Sequence, residues 1–299
     1  MTTAPTPANW LSIFALGVIW GGTFMVVAIA LQGYGPLTVA CARTTLGALA
    51  LLGLMRIMGR RFPAMTPRMI KYLCVMGVLN TALPFSLLSW GQQYVPSAFA
   101  GISMAALPLF LLPLAHVFTD EKMSTHKLVG VILGFTGAII LVGPGVLRIG
   151  TGWEPLGQIA CLAAAFSYAV SSIMTRRCPP IDPMALAAAT LAVGSVALVP
   201  FMLIIEGVPQ IAGTVPTVAI VVLGLFPTAL AALLRVMTIR TAGAVFMTLV
   251  NYQVPLWSML FGAWILDEVL PLRFFAALAI ILCGLAVSQQ TSLRKIFRA

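Results

Sequence analysis

Residues 96–142 read PSAFAGISMAALPLFLLPLAHVFTDEKMSTHKLVGVILGFTGAIILV, and residues 243–289 read GAVFMTLVNYQVPLWSMLFGAWILDEVLPLRFFAALAIILCGLAVSQ. With a shift of 147 positions and no gap, Phe99 falls on Phe246, Pro108 on Pro255, Asp120-Glu121 on Asp267-Glu268, and Gly137 on Gly284. Apolar residues matching apolar ones would follow from composition alone. An ordered proline, an Asp-Glu pair and a glycine at fixed spacing would not. The register extends upstream, where Gly77 meets Gly224 and Thr81-Ala82-Leu83 meets Thr228-Ala229-Leu230. The chain is therefore an internal duplication, which divides it into residues 1–145 and 146–299.

Composition sets the medium. Hydrophobic residues make up 61% of the 299 and charged residues only 8%, with a mean hydropathy of +1.06. A soluble domain carries roughly 25% charged residues, so this chain cannot coat a soluble globule. It reads as an all-α integral membrane protein. The net charge of +10 is no sign of nucleic-acid binding, because the basic residues sit between apolar runs and form no stripe with stacking aromatics. Cys41, Cys74, Cys161, Cys178 and Cys283 make no spaced motif, and His116 and His126 lack a nearby His or Cys partner. No metal and no cofactor is expected. The opening MTTAPTPANW has no basic residue, and the first Lys or Arg is Arg43, so the first apolar run reads as a retained span and not a secretory signal.

About 20 apolar residues cross a bilayer core of roughly 30 Å as a helix. Ten such runs are present, near 11–31, 37–57, 69–90, 96–117, 126–144, 155–175, 184–205, 216–237, 241–265 and 271–288. Short breaks with turn chemistry part them: Gly33-Tyr34-Gly35-Pro36, Pro96, Gly143-Pro144-Gly145, Pro179-Pro180 and Gly207-Val208-Pro209. Charge tests the count. With the N-terminus inside, the inner loops and flanks hold Arg56, Arg60, Arg61, Arg68, Lys71, Lys122, Lys127, Arg176, Arg177, Arg235, Arg240, Arg294, Lys295 and Arg298. The outer ones hold only Arg148 and Arg273. One miscounted span would destroy that asymmetry, so both termini are expected to be cytoplasmic. Five spans is an odd number, so the second half enters the bilayer from the opposite side. Inverted repeats expose a central site to each side in turn when the halves exchange conformation.

Candidate site residues lie at mid-depth. Pro108 and Pro255 are expected to bend their helices beside the cavity, because a proline frees a carbonyl one turn earlier. Asn251-Tyr252-Gln253 precedes the second of them, and at 100° per residue only one or two can face a cavity. Asn80 and Thr81 are mid-span, with Pro227 and Thr228 as repeat mates. Trp20 and Tyr168 are central aromatics, either an apolar substrate wall or interhelical packing, and Phe85 and Met104 could extend that wall. The expected substrate-binding set is Trp20, Asn80, Phe85, Met104, Tyr168, Asn251 and Tyr252. Arg43 is the one basic residue within a span. Snorkelling to the headgroups is the simpler account of it, and binding a substrate carboxylate the alternative. Each Asp-Glu pair falls at a membrane edge, where anchoring helix ends and loops is the expected role. Gly17/Gly21 and Gly130/Gly134 are small-xxx-small pairs suited to close helix packing. No phosphate-cradling Gly-Lys-Ser/Thr motif is present and no acid lies within a span, so neither an ATPase, nor an intramembrane enzyme, nor a buried carboxylate relay is expected.

The chain resembles the drug/metabolite transporter superfamily, in particular its EamA-repeat members. The carrying residues are Leu16-Gly-Val-Ile-Trp20-Gly-Gly-Thr-Phe24, Arg43-Thr-Thr-Leu-Gly-Ala-Leu, and the Pro108…Asp120-Glu121 and Pro255…Asp267-Glu268 elements. Within that family it is most similar to amino-acid exporters of the YddG type. The resemblance implies ten transmembrane helices arranged as two inverted five-helix repeats, forming a basket around a central cavity. Helices one to four and six to nine would line it, with five and ten outside. It also implies a small-molecule cargo, an amino acid or similar metabolite, with drugs as the alternative, and an inner-membrane location. The four-helix members of the superfamily couple to protons through a first-helix glutamate. Residues 11–31 contain no acid, so that coupling is not carried over and uncoupled export is expected.

Overall fold

The computed structural model describes residues 6–119, 121–143 and 152–290. Asp120, Pro144, Gly145, Arg148, Arg294, Lys295 and Arg298, which entered the sequence argument, lie outside them. Every regular element among the described residues is helical. Among the described residues eight helices are long and apolar enough to cross a membrane, and two shorter ones follow, for ten in all. They are α1 (Pro7–Ala30), α2 (Pro36–Ile57), α3 (Pro67–Gly91), α4 (Ser97–Phe118), α5 (Thr125–Val142), α6 (Glu154–Arg177), α7 (Pro183–Ile205), α8 (Thr214–Gly243), α9 (Val250–Ile265) and α10 (Leu272–Ser288). In hydrocarbon a backbone amide must be paired within its own segment, which leaves helix as the only choice for runs this apolar. Proline near the first helical position starts α1, α2, α3 and α7, where a missing N–H costs nothing.

The helices pack as an inverted pair of five. Repeat mates touch each other across a pseudo-twofold axis: α2 with α7, α4 with α9, and α5 with α10. Each of these pairs is antiparallel. Leu37 meets Glu206 while Thr45 meets Ser195, Ala98 meets Glu268 while Gly101 meets Ser258, and Gly130 meets Ser288 while Gly137 meets Ala277. The other contacts exchange in kind: α1 packs on α8 and α9, and α6 packs on α3 and α4. Outward faces carry exposed apolar residues such as Leu49, Ile139, Val196 and Phe201, which suits lipid.

The expected glycine contacts are made. A Cβ on Gly17 would meet Gln253, and one on Gly21 would meet Trp257 and the Val254 carbonyl. Gly130 and Gly134 press α5 onto the α10 backbone at Gly284 and the α4 residue Leu109. Two π-helical segments, Val78–Ala82 in α3 and Gly224–Leu230 in α8, are not evident from apolar periodicity. They fall at the same place in the two repeats, since Val78 maps onto Leu225 and Ala82 onto Ala229 under the same shift. Pro84 and Pro227 explain them, because each withholds the amide that would continue the regular ladder.

At the face where α1 begins, Asp182 ties three helices. It caps α7 by accepting from the Met184 and Ala185 amides at 2.9 and 3.3 Å, and pairs with Arg60 at 2.9 Å and Arg240 at 3.0 Å. Burial pushes its carboxyl up, but the two amides and Arg60 outweigh it and hold it below the ordinary value. A depressed folded pKa means the stabilisation is complete above the ordinary carboxylate range and lost as pH falls through the lower value. Asp182→Asn is expected to cost roughly 1 kcal/mol at neutral pH, since Asn still caps but cannot pair. Melting temperatures of the two proteins in detergent should converge as the pH falls through the lowered folded-state value, where the wild-type carboxyl also becomes neutral.

Candidate functional site

The two π-helical segments face each other across the middle of the bundle, and each is held from the other repeat. The Trp20 indole donates from Nε1 to the Pro227 carbonyl at 3.2 Å. The Ser167 hydroxyl donates to the Leu79 carbonyl at 2.8 Å. Ser167 is the repeat mate of Trp20, so α1 and α6 do the same job with different side chains. A π turn leaves a carbonyl without its helical donor, and these bonds supply one.

Between the two segments lies a cavity of about 480 Å³. Its walls come from α1–α4 and α6–α9, with nothing from α5 or α10. Trp20, Asn80, Phe85, Met104, Tyr168 and Asn251 all line it. The side-chain amides of Asn80 and Asn251 bond no protein atom among the described residues, so both are available to a guest. Toward one face the cavity stops beneath buried Phe24 and Leu88. Toward the face where α1 begins it continues past Ser172, Ala187, Arg235 and Ile239, and Arg235 is exposed there. The cavity thus opens toward the N-terminal face.

Three sequence expectations are corrected by the geometry. Tyr252 does not line the cavity: one residue on from Asn251 it points elsewhere, and its phenolic oxygen is buried without a hydrogen-bond partner among the described residues. Pro108 and Pro255 do not themselves line it, although Leu107 and Val254 beside them do, and only Pro255 departs from the expected bend. The α4 helix breaks at Ala105-Ala106, where amides reach back only three residues, and Pro108 lies in the first turn of the resumed helix. The turn before α9 falls four residues earlier in the repeat, at Thr248-Leu249, so Pro255 lies inside the helix and away from the bend. Finally, Arg43 does not snorkel. It is 8% exposed and lines the cavity, its Nε donates to the Thr228 hydroxyl at 3.1 Å, and its guanidinium carbon lies 3.9 Å from the centre of the Phe85 ring. The lining therefore holds two guanidinium groups, Arg43 and Arg235, and no carboxylate. Apolar patterning hides this, because an arginine about two turns from a helix end reads equally well as a lipid anchor.

The second Asp-Glu element is a helix anchor, as expected, while Asp120 of the first lies outside the described residues. Glu268 accepts from the Ser97 and Ala98 amides, at 2.6 and 3.1 Å, and so caps α4 from the end of α9. Asp267 makes the turn with φ at 53°, a conformation Asp tolerates better than most residues. Glu206 does the same for α2, accepting from the Leu37 and Thr38 amides at 2.8 Å each. Among the described residues no group of three His, Cys, Asp or Glu could hold a metal ion.

Comparison with known proteins agrees with this architecture. The family model described as "EamA-like transporter family" matches twice, at residues 9–143 and 155–289. The chain is 24% identical over 95% of its length to an uncharacterized transporter, YoaV, of Bacillus subtilis, covering 98% of that protein. It is 29% identical over 90% of its length to an uncharacterized inner membrane transporter, YedA, of Escherichia coli K12, covering 87% of it. A probable terminal-alkyne amino-acid exporter of Streptantibioticus cattleyicolor is 26% identical over 75% of this chain and 73% of its own length. A protein known by its crystal structure superposes with a TM-score of 0.67 over 95% of this chain and 98% of that one. At 17% identity that likeness speaks for the fold alone.

Proposed function

Because the chain belongs to the EamA-like transporter family, we propose that it exports amino acids, aromatic and other neutral ones, or similar small metabolites, by alternating access from the cytoplasm. The observation that carries this reading is the cavity between the two π-helical segments. It is walled by both repeats, lined by Trp20, Phe85 and Tyr168 for an apolar portion, and offers the free amides of Asn80 and Asn251 for a polar one. The excess of basic residues on the loops at the face where α1 begins supports a cytoplasmic placement of that face. In that orientation the cavity opens to the cytoplasm, the loading state of an exporter. The Streptantibioticus relative, named as a probable amino-acid exporter, supports the cargo class. A carboxylate-free lining supports uncoupled movement down a gradient. It also argues against the multidrug alternative for hydrophobic cations, which would meet two arginines.

The test is uptake of radiolabelled tryptophan, phenylalanine, methionine and threonine into liposomes containing the purified protein, with no ion gradient. Saturable uptake that unlabelled amino acid suppresses is expected. Trp20→Ala should lower it about tenfold, because it removes both a wall and the donor to the Pro227 carbonyl, together worth roughly 1–2 kcal/mol. Asn251→Ala should raise KM severalfold with less effect on maximal rate. Uptake of lipophilic cations in place of every amino acid would transfer the reading to the multidrug alternative. Stoichiometric proton movement with the cargo would refute uncoupled export.

A further inference from the structure

Arg43 is a charge that its place in the fold does not require. Its repeat mate is Thr190, which occupies the corresponding point on α7. There the Thr81 hydroxyl donates to the Thr190 carbonyl at 3.2 Å. On the other side the Thr228 hydroxyl accepts from Arg43 Nε at 3.1 Å. One threonine–helix contact at each π-helical segment thus serves both repeats, and one of the two is made without any cation. The arginine is extra to the scaffold and breaks the pseudosymmetry on the cavity wall.

The setting of the guanidinium is also incomplete. Nε is used, and one face of the plane is covered by the Phe85 ring. Among the described residues no carboxylate lies within ion-pair reach of it, and its two terminal amino groups donate to no protein atom. A buried charge without a partner is costly, and one held in place by Thr228 and Phe85 keeps its free donors in a fixed direction. The planar fork of an arginine matches a carboxylate by two parallel hydrogen bonds. Around it stand the aromatic walls Trp20 and Tyr168 and the amide of Asn80.

We propose that Arg43 is the anchor for the carboxylate of the cargo, and that a carboxylate joined to an apolar or aromatic body is the feature the cavity selects. The inference rests on the cavity being the cargo site proposed above. The carboxylate sits against the free Nη groups with Asn80 beside it, and the body lies along Trp20, Phe85 and Tyr168. Arg235, exposed toward the mouth, raises the local concentration of anions without fixing their pose. The amino group of an amino acid is tolerated by this arrangement and not demanded.

The experiment is equilibrium binding by titration calorimetry to the purified full-length protein in lipid nanodiscs, at fixed salt. The probes are L-phenylalanine, 3-phenylpropionate, L-leucine and hexanoate as acids, with L-phenylalaninamide and 3-phenylpropionamide as matched neutral-end controls. Wild type should bind at least one acid, and its amide at least tenfold more weakly. Arg43→Gln should abolish the discrimination, and Arg43→Lys should restore part of it through charge without the fork. Thr228→Val, which removes the Nε partner and the hydroxyl's bond to the Leu223 carbonyl but leaves the Nη groups untouched, should keep the preference for acid over amide. Monodispersity by size exclusion qualifies each variant, and if Arg43→Gln fails it, the contrast between Arg43→Lys and wild type decides. Equal binding of acid and amide by wild type, no binding of any acid, or unchanged discrimination in the Arg43 variants would overturn the anchor. Efflux of the same probes from liposomes separates the two readings. Transport of acid and amide alike leaves the exporter standing without the anchor, and binding of acids that never cross leaves the anchor without the exporter.

Discussion

Glu268→Gln is expected to open the face that is closed in this structure, and Glu121→Gln to favour its staying closed. The two glutamates are repeat mates, yet they do different things here. Glu268 holds the first amides of α4 and locks the end of α9 onto it, with Gly262 leaving room for the carboxylate at a point where a Cβ would come within 2.5 Å. Glu121 instead pairs with Arg176 at 2.6 Å and Lys127 at 3.5 Å on the surface. Under the repeat shift, the amides corresponding to Ser97 and Ala98 are those of residues 244 and 245, at the start of the helical stretch that follows Gly243. If the halves exchange conformation, Glu121 acquires those amides and Glu268 gives up its own. A carboxylate at a helix N-terminus gains charge-assisted hydrogen bonds and a favourable dipole, together about 2 kcal/mol, or roughly thirtyfold in a two-state ratio. Glutamine keeps the shape and loses most of that. Exposed ion pairs such as those of Glu121 return little, so the second substitution acts chiefly on the exchanged state. The readout is labelling of Thr23→Cys by an impermeant maleimide in a cysteine-free background. Glu268→Gln should raise the rate from the closed side many-fold, while Glu121→Gln lowers it. A fall in melting temperature for Glu268→Gln with no change in labelling would mean a structural cap and no latch.

The latch shows how much of this protein is legible in its sequence. The repeat, its inversion and the packing glycines follow from pattern, because a bilayer imposes length, and an odd number of spans imposes orientation. The anchoring role of Glu268 follows from its place thirteen residues beyond a mid-span proline. The cavity is partly legible too. Trp20, Asn80 and Asn251 stand out because polar or indole groups at mid-depth need a reason. What the sequence hides is angular. Tyr252 differs from Asn251 by one 100° step, and nothing in the string says which of the two turns inward. The π-helical segments are hidden for a related reason: each inserts one residue into a turn and rotates every later side chain, so Thr81 and Thr228 reach partners that a regular helix would deny them. Arg43 is hidden because its depth alone fits two opposite environments, and only its partners separate them.

Gly284→Leu should be strongly destabilising. The helices α5 and α10 sit outside the cavity and hold the two repeats together along one antiparallel seam. A Cβ at Gly284 would lie 2.6 Å from the Gly130 carbonyl oxygen and 2.7 Å from the Gly134 amide. These are backbone atoms of a helix, which cannot swing aside as a side chain can. The seam must widen along its length, so Gly130 and Gly137 lose contact as well. In lipid there is no hydrophobic gain from apposing apolar helices, and close backbone packing is what associates them. Overpacking typically costs 1–3 kcal/mol at one site, and spreading it over a whole seam puts the loss at about 3 kcal/mol or more. Melting of the purified protein in a mild detergent should fall by many degrees, or the variant should fail to accumulate in membranes. Gly284→Ala should lie between, because a single methyl still meets both backbone atoms. Leucine at Gly53, where a Cβ has open space, is the control for added bulk and should leave melting unchanged. If Gly284→Leu melts like wild type, then α10 is held by lipid and loops, and the glycine seam is not what binds it to α5. Cargo binding in whatever Gly284→Ala protein survives should stay near normal, since neither α5 nor α10 contributes to the cavity wall.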